Sequence, residues 1–297
     1  MQKRSSNPIM GSLTQMGQHN AQGQNGQPGQ QGNNPYGNFA TAQGGVATAT
    51  SHQGMPQAAN YGRTAANDRP ITIDDIVTKT GITLAVIIVF AALNYFLYST
   101  NPGVGTVLTF VGAIGGLIAV MVSSFGKKYD SAPVTLTYAV FEGLFVGGFS
   151  FLIAGVTVQG VDAGALIAQA VLGTIGVFIG MLFVYKSGAI RVTPKFTRFI
   201  VGGLIGVLVL ALGNFVASFF MDGAGPLRDG GPIAYVFSLV CIGLAAMSFL
   251  LDFDQADRLV RSGAPSKMAW GAALGLAVTL VWLYTEILRL LSYVNRS

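Results

Sequence analysis

The sequence predicts an all-α integral membrane protein, a seven-transmembrane-helix bundle preceded by a disordered N-terminal tail. Half of the residues are hydrophobic (51%) and only 10% are charged, with a mean hydropathy of +0.55, a balance that no ordinary soluble domain shows. Seven apolar stretches follow Gly81, most near the ~20 residues a helix needs to cross a bilayer. Residues 1–70, by contrast, are rich in Gln, Gly, Asn, Ser and Ala and hold almost no aliphatic side chains that could bury a core. The expected division is therefore a disordered tail over 1–70 and a transmembrane domain over 71–297.

The tail lacks the basic start and apolar stretch of a secretory signal, because Lys3 and Arg4 lead only into polar sequence. It is expected to stay in the cytoplasm, where it is made. Both histidines, His19 and His52, fall in it, which removes His-based metal sites and Ser-His-Asp chemistry from the membrane region. The chain is accordingly read as a non-enzyme, with no cofactor. Cys241, the single cysteine, lies in an apolar stretch and reads as packing.

Thr72 can cap a helix whose first turn carries Asp74 and Asp75, both favoured at the positive end of the helix dipole, and this first turn is expected at the interface. The spans then read Ile82 to Tyr98, Gly105 to Val122, Val134 to Val156, Ala163 to Tyr185, Phe199 to Met221, Pro232 to Leu251 and Met268 to Val294. Their continuous apolarity excludes a closed β-barrel, which needs short alternating strands. With the tail inside, inner loops hold Lys127, Lys128, Lys186, Arg191, Lys195, Arg198, Arg258, Arg261 and Lys267, whereas outer loops hold Arg228 alone. This bias sets the orientation; Arg296, beyond the last span, runs against it. The net charge of +5 is explained by these loops and not by nucleic-acid binding. Tyr98, Tyr129, Tyr185 and Tyr293 fall near span ends, as interfacial aromatics do.

Glycines recur four apart at Gly112 and Gly116, Gly143 and Gly147, Gly176 and Gly180, Gly202 and Gly206, and Gly271 and Gly275, a spacing that lets helices approach closely. The run Gly173, Gly176, Gly180 lacks the Lys and Ser or Thr of a phosphate loop.

Ionisable side chains inside spans are costly in lipid and usually face a bundle interior or a wet path. Glu142 sits in Tyr138–Leu144 with no cation nearby in sequence, and the expectation is that it meets Arg289 across the bundle or stays protonated. Span six closes on Ser248 to Val260, which holds Asp252, Asp254 and Asp257. Asp254 and Asp257 share a helix face, whereas Asp252 lies ~200° around from Asp254. Asp254 and Arg258 can form an i, i+4 ion pair, and Asp252 and Asp257 read as members of ordinary surface ion pairs. Glu286 lies within Leu280–Leu291, and an intrahelical pair with Arg289 stands level with a functional role.

Phe253-Asp254 at the end of span six, Leu283-Tyr284-Thr285-Glu286 in span seven and the seven spans together resemble the transmembrane Bax inhibitor motif family, the Bax inhibitor-1 and YccA-like proteins. The resemblance covers about residues 72 to 295, and Arg4-Ser5-Ser6-Asn7-Pro8 is similar to the start of a bacterial branch. It implies a multi-pass protein of the bacterial plasma membrane whose aromatic-Asp pair in span six and Leu-Tyr-x-Asp stretch in span seven supply a pH-sensing pair in a calcium leak pathway. Those acids fall on Asp254 and Glu286. Two departures stand out. Glu replaces Asp at the second position, and the intervening segment is longer, so that a straight helix from Met268 carries Glu286 ~27 Å inward, too deep to meet Asp254. A bend near Gly271 and Gly275, or a helix that begins partly outside the membrane, would remove the conflict.

Two carboxyls close together in a poorly solvated site share a proton, which makes a pH switch without histidine. Ionised, Asp254 and Glu286 would offer hard oxygens to a permeant Ca²⁺, with carbonyls and waters completing its shell. The expectation is a leak closed by protonation and opened by deprotonation. The competing expectation is a regulatory membrane protein that binds a partner such as a membrane protease, as some bacterial relatives do. A proton-coupled transporter ranks below both, because no inverted repeat is visible, and an intramembrane protease lacks nameable catalytic groups.

Overall fold

The computed structural model describes residues 69–156, 162–221 and 225–295. The tail with its histidines, and Arg296, lie outside these residues. Seven helices are long and apolar enough to cross a membrane: α1 (Ile73–Thr100), α2 (Pro102–Phe125), α3 (Ala132–Ser150, continued by a π-helical turn Phe151–Val156), α4 (Ala163–Ser187), α5 (Pro194–Ser218), α6 (Pro232–Arg261) and α7 (Ala269–Val294). They alternate in direction. One end of the bundle gathers the basic loops and is called the basic end below.

Local chemistry sets the helix starts. Thr72 and Asp75 form a reciprocal capping box, and Asp74 and Asp75 occupy the first turn of α1. This capped turn runs straight into the span, with no separate helix before it among the described residues. Side chains of Asn101, Ser131, Asp162 and Thr193 accept from the first free amides of α2 to α5. Proline stands in the first turn of α2, α3, α5 and α6, where a missing N–H costs nothing.

Helix α7 is the axis of the bundle. Its most apolar window is 67% buried, against 11% for α4 and for α5, and α7 residues enter all three hydrophobic clusters. Phe249, Phe253, Leu276 and Leu283 join α6 to α7, with Phe178 of α4 packed on them. Tyr138, Ala139, Leu274 and Val281 join α3 to α7. Leu166, Ala170 and Leu288 join α4 to α7. The outward faces of α2, α4 and α5 carry exposed Phe110, Leu172, Phe183, Phe199 and Phe215, which suits helices with lipid on one side.

Close approach by glycine is real for some of the predicted pairs and absent for others. A Cβ on Gly147 would overlap the Ala91 carbonyl of α1, one on Gly143 would lie 2.6 Å from the Ile87 carbonyl, and one on Gly112 would lie 2.6 Å from that of Phe141. Gly271 is equally closed by the Tyr129 backbone. By contrast, Gly176, Gly180, Gly202 and Gly206 meet no protein atom within 4 Å. Buried polar contacts add to the close-packed helices: Asn94 of α1 donates to the Leu144 carbonyl at 2.5 Å and to the Thr109 hydroxyl at 3.1 Å. Such bonds between spans contribute about 0.6–2 kcal/mol each.

Of the aromatics expected at interfaces, Tyr129 is exposed and Tyr185 half-buried, but Tyr98 and Tyr293 are buried. Tyr98 stacks on Phe151 and Tyr293 packs on Tyr235. Cys241 is fully buried, as a packing residue would be.

Candidate functional site

Among the described residues, the acids of α3, α6 and α7 divide into two ionic groups and two carboxylates that lack a cation. At the end opposite the basic loops, Glu286 is 2% exposed and is held by two arginines. Arg228, from the loop before α6, meets it with both terminal nitrogens at 2.8 Å, a bidentate fork. Arg289, one turn on along α7, donates at 2.8 Å. Each guanidinium also lies over a ring, Arg228 over Phe237 and Arg289 over Phe149, at 4.8 and 5.2 Å from the centroids. Burial pulls the Arg228 guanidinium down, but the hydrogen bonds and charge of Glu286 outweigh it and hold the group above its ordinary range. This clamp ties the loop to α7, α6 and α3 at once.

At the basic end Asp254 pairs with Arg258 at 2.7 Å and Asp257 with Arg261 at 2.8 Å, both i, i+4. The Tyr185 hydroxyl of α4 reaches Asp257 at 3.5 Å. The sequence reading of Asp257 as an ordinary ion pair matches this arrangement, and so does the alternative reading of Asp254.

The expected contact between Asp254 and Glu286 is not formed. Helix α7 runs without interruption from Ala269 to Val294, and Glu286 is held by Arg228 and Arg289 while Asp254 is held by Arg258, so the two acids stay apart. Asp252 accepts a hydrogen bond from Thr279 at 2.7 Å, which fixes the register of the antiparallel pair α6 and α7. Asp254 lies two residues from that level toward the basic end, and Glu286 seven residues from it in the opposite direction. Their separation along the bundle is thus about 13 Å at 1.5 Å per residue.

Asp252 departs from the sequence reading, and for Glu142 one of its two expected alternatives falls away. Asp252 is not a surface charge: it faces α7, with Thr279 as its donor, and a Cβ added to Gly275 would lie 3.8 Å from its other oxygen. Glu142 does not meet Arg289, whose partner is Glu286; its carboxylate lies over Gly116 of α2 and Tyr138 is one turn away on α3. Among the described residues neither Asp252 nor Glu142 pairs with a cation. They also share a depth. The Thr135 hydroxyl donates to the Trp270 carbonyl and Ser150 bonds the Tyr284 hydroxyl, so α3 and α7 run parallel in near-constant register. Glu142 is then level with about Ala277, within ~3 Å axially of Thr279 and its partner Asp252. The sequence offered one signal for Asp252, its position on the opposite helix face from Asp254 and Asp257. It offered none for Arg228, which a loop count recorded only as a charge.

No group of three or more His, Cys, Asp or Glu side chains that could hold a metal gathers among the described residues. What the arrangement can do is present single carboxylate oxygens at successive depths: Asp254 at the mouth, Asp252 and Glu142 in the middle, and Glu286 behind two guanidiniums at the far end.

Comparison with known proteins settles the family, since the Bax inhibitor 1 like family matches residues 7–296. The chain belongs to the Bax inhibitor 1 like family. Weaker similarity reaches 2-keto-3-deoxygluconate permease 1 of Salmonella typhimurium (strain LT2) and of Salmonella typhi, each 28% identical over 223 residues, covering 70% of this chain and 66% of the relative. The chain therefore spans just under two thirds of the length of these curated relatives. With seven membrane-length helices, this Bax inhibitor 1-like chain is a multi-pass membrane protein.

Proposed function

We propose that the protein is a membrane cation leak pathway, with Ca²⁺ as the permeant ion, running through the bundle past α3, α6 and α7. The observation that carries this reading is the level pair Asp252 and Glu142, two carboxylates at membrane depth with no cation against either among the described residues. An acid kept there without a counter-ion is a candidate for ion or proton handling, and its hard oxygens suit Ca²⁺ in passing contact. Asp254 and Glu286 act at the two ends and not as a pair. Asp254 supplies charge at the basic, cytoplasmic mouth beside Arg258, and Glu286 closes the far end by holding Arg228 and Arg289 across it. Family membership supports a place in the membrane, and the permease relatives favour transport over catalysis. The loop charges support an N-terminus in the cytoplasm, and the resemblance of the sequence start to a bacterial branch supports the bacterial inner membrane.

Protonation strips the middle acids of charge, so the leak is closed at low pH and opens as pH rises. Purified protein in liposomes holding a Ca²⁺ dye tests this. The expected result is Ca²⁺ entry above that of protein-free vesicles, rising with pH, and increased further when Glu286→Gln releases the clamp. Entry equal to that of empty vesicles at every pH would end the proposal.

A further inference from the structure

A cavity lies apart from the middle acids. It opens at the basic end between the last turn of α4, the turn leading to α5 and the last turns of α6, with a volume of about 420 Å³. Its lining is charged in a particular way. Arg258 and Arg261 are held by Asp254 and Asp257, whereas Arg191 lines the same cavity and makes no ion pair among the described residues. Three arginines thus line the cavity against two carboxylates, and exposed Lys186, Lys195 and Arg198 lie on the adjoining ends of α4 and α5. Directly along α4 from this cavity the surface turns apolar, with Phe183 at 73% and Ile179 at 58% exposure and with no protein atom over Gly180 or Gly176. Phe199 of α5 is 64% exposed on the neighbouring helix.

We propose that this cavity binds the headgroup phosphate of an anionic phospholipid. The free guanidinium of Arg191 offers a planar fork matched to phosphate oxygens, and basic pockets between spans on the cytoplasmic side are suited to such headgroups. The apolar flank of α4 then receives the acyl chains, which a soluble phosphate does not possess. That continuity of cationic cavity and bare apolar flank selects a lipid over a free anion. The site stands whether or not the protein conducts ions.

Native mass spectrometry of the full-length protein tests it, with phosphatidylglycerol and phosphatidylcholine of the same acyl chains supplied in equal amounts. Wild type retains phosphatidylglycerol in preference, and Arg191→Gln reduces that preference about fivefold, as expected for one cation near an anionic surface. Lys128→Gln, which removes a charge from a different loop at the same end, leaves it unchanged. Equal losses in the two variants would overturn the assignment by reducing it to diffuse surface charge. Equal retention of the two lipids by wild type would overturn it outright, and displacement of phosphatidylglycerol by millimolar inorganic phosphate would reassign the cavity to a soluble anion.

Discussion

Glu286 illustrates how a buried carboxylate is made tolerable, since each of its oxygens is occupied by a guanidinium and the arginines spread their own charge over Phe237 and Phe149. Breaking a buried ion pair from one side costs about 3–5 kcal/mol because the remaining charge is stranded. Glu286→Gln is therefore expected to lower the unfolding temperature in detergent strongly. Arg228→Gln should lower it less, because Arg289 still partners the carboxylate. Equal shifts would show that the fork from Arg228 carries the clamp alone. Asp252 makes the opposite prediction. Asn can accept from Thr279 as Asp does, so Asp252→Asn should leave stability nearly unchanged, whereas Thr279→Val should cost on the order of 1 kcal/mol through the lost donor. The i, i+3 spacing of Glu286 and Arg289 was legible in the sequence. The second arginine was not, because Arg228 is brought to Glu286 by the path of a loop, which no local pattern encodes. Likewise the helical period separated Asp252 from its neighbours but could not tell which face turns inward.

Among the elements, α7 was recognisable as a span, yet its role as the axis follows only from packing. Its sequence is no more apolar than that of its neighbours, with a window hydropathy of 1.6 against 2.4 for α5. The reason is physical: the central helix of a membrane bundle holds the polar contacts, whereas lipid-facing helices must be greasy all round. The same logic separates the glycine pairs, which look alike in sequence. Gly143 and Gly147 let α1 lie against α3, and Gly176 and Gly180 face open space. Gly147→Ala should thus destabilise the protein by about 1–3 kcal/mol through backbone overlap with Ala91. Gly176→Ala should be tolerated, or stabilise by up to about 1 kcal/mol through helix propensity. Thermal unfolding of the two variants side by side checks this, and a loss at Gly176 as large as that at Gly147 would contradict the open face. The strap before α1 was not foreseen. Ile71 is buried and donates to the Ala264 carbonyl, Ser266 donates to that of Arg69, and Lys79 reaches the Ser266 carbonyl at 2.6 Å, so the chain entering α1 is tied to the α6–α7 turn.

At the scale of the whole molecule, the seven-helix fold and the family were both readable, because hydropathy over ~20 residues is a direct record of the bilayer. The relative level of Asp254 and Glu286 was not, because it depends on how α6 and α7 slide past one another, which the Asp252–Thr279 contact fixes. The acids consequently form a ladder through the bundle and not a dyad. A ladder predicts graded effects. Asp254→Asn at the mouth should lower Ca²⁺ entry only modestly and mainly at low ionic strength, since a partly exposed charge beside exposed Arg258 is screened. The most direct measurement is Ca²⁺ entry into liposomes at pH 8 for wild type and for the double variant Asp252→Asn, Glu142→Gln. The account predicts that the double variant loses at least tenfold of the wild-type rate and all of its pH dependence while its unfolding temperature holds. A folded double variant that leaks Ca²⁺ at the wild-type rate would contradict it.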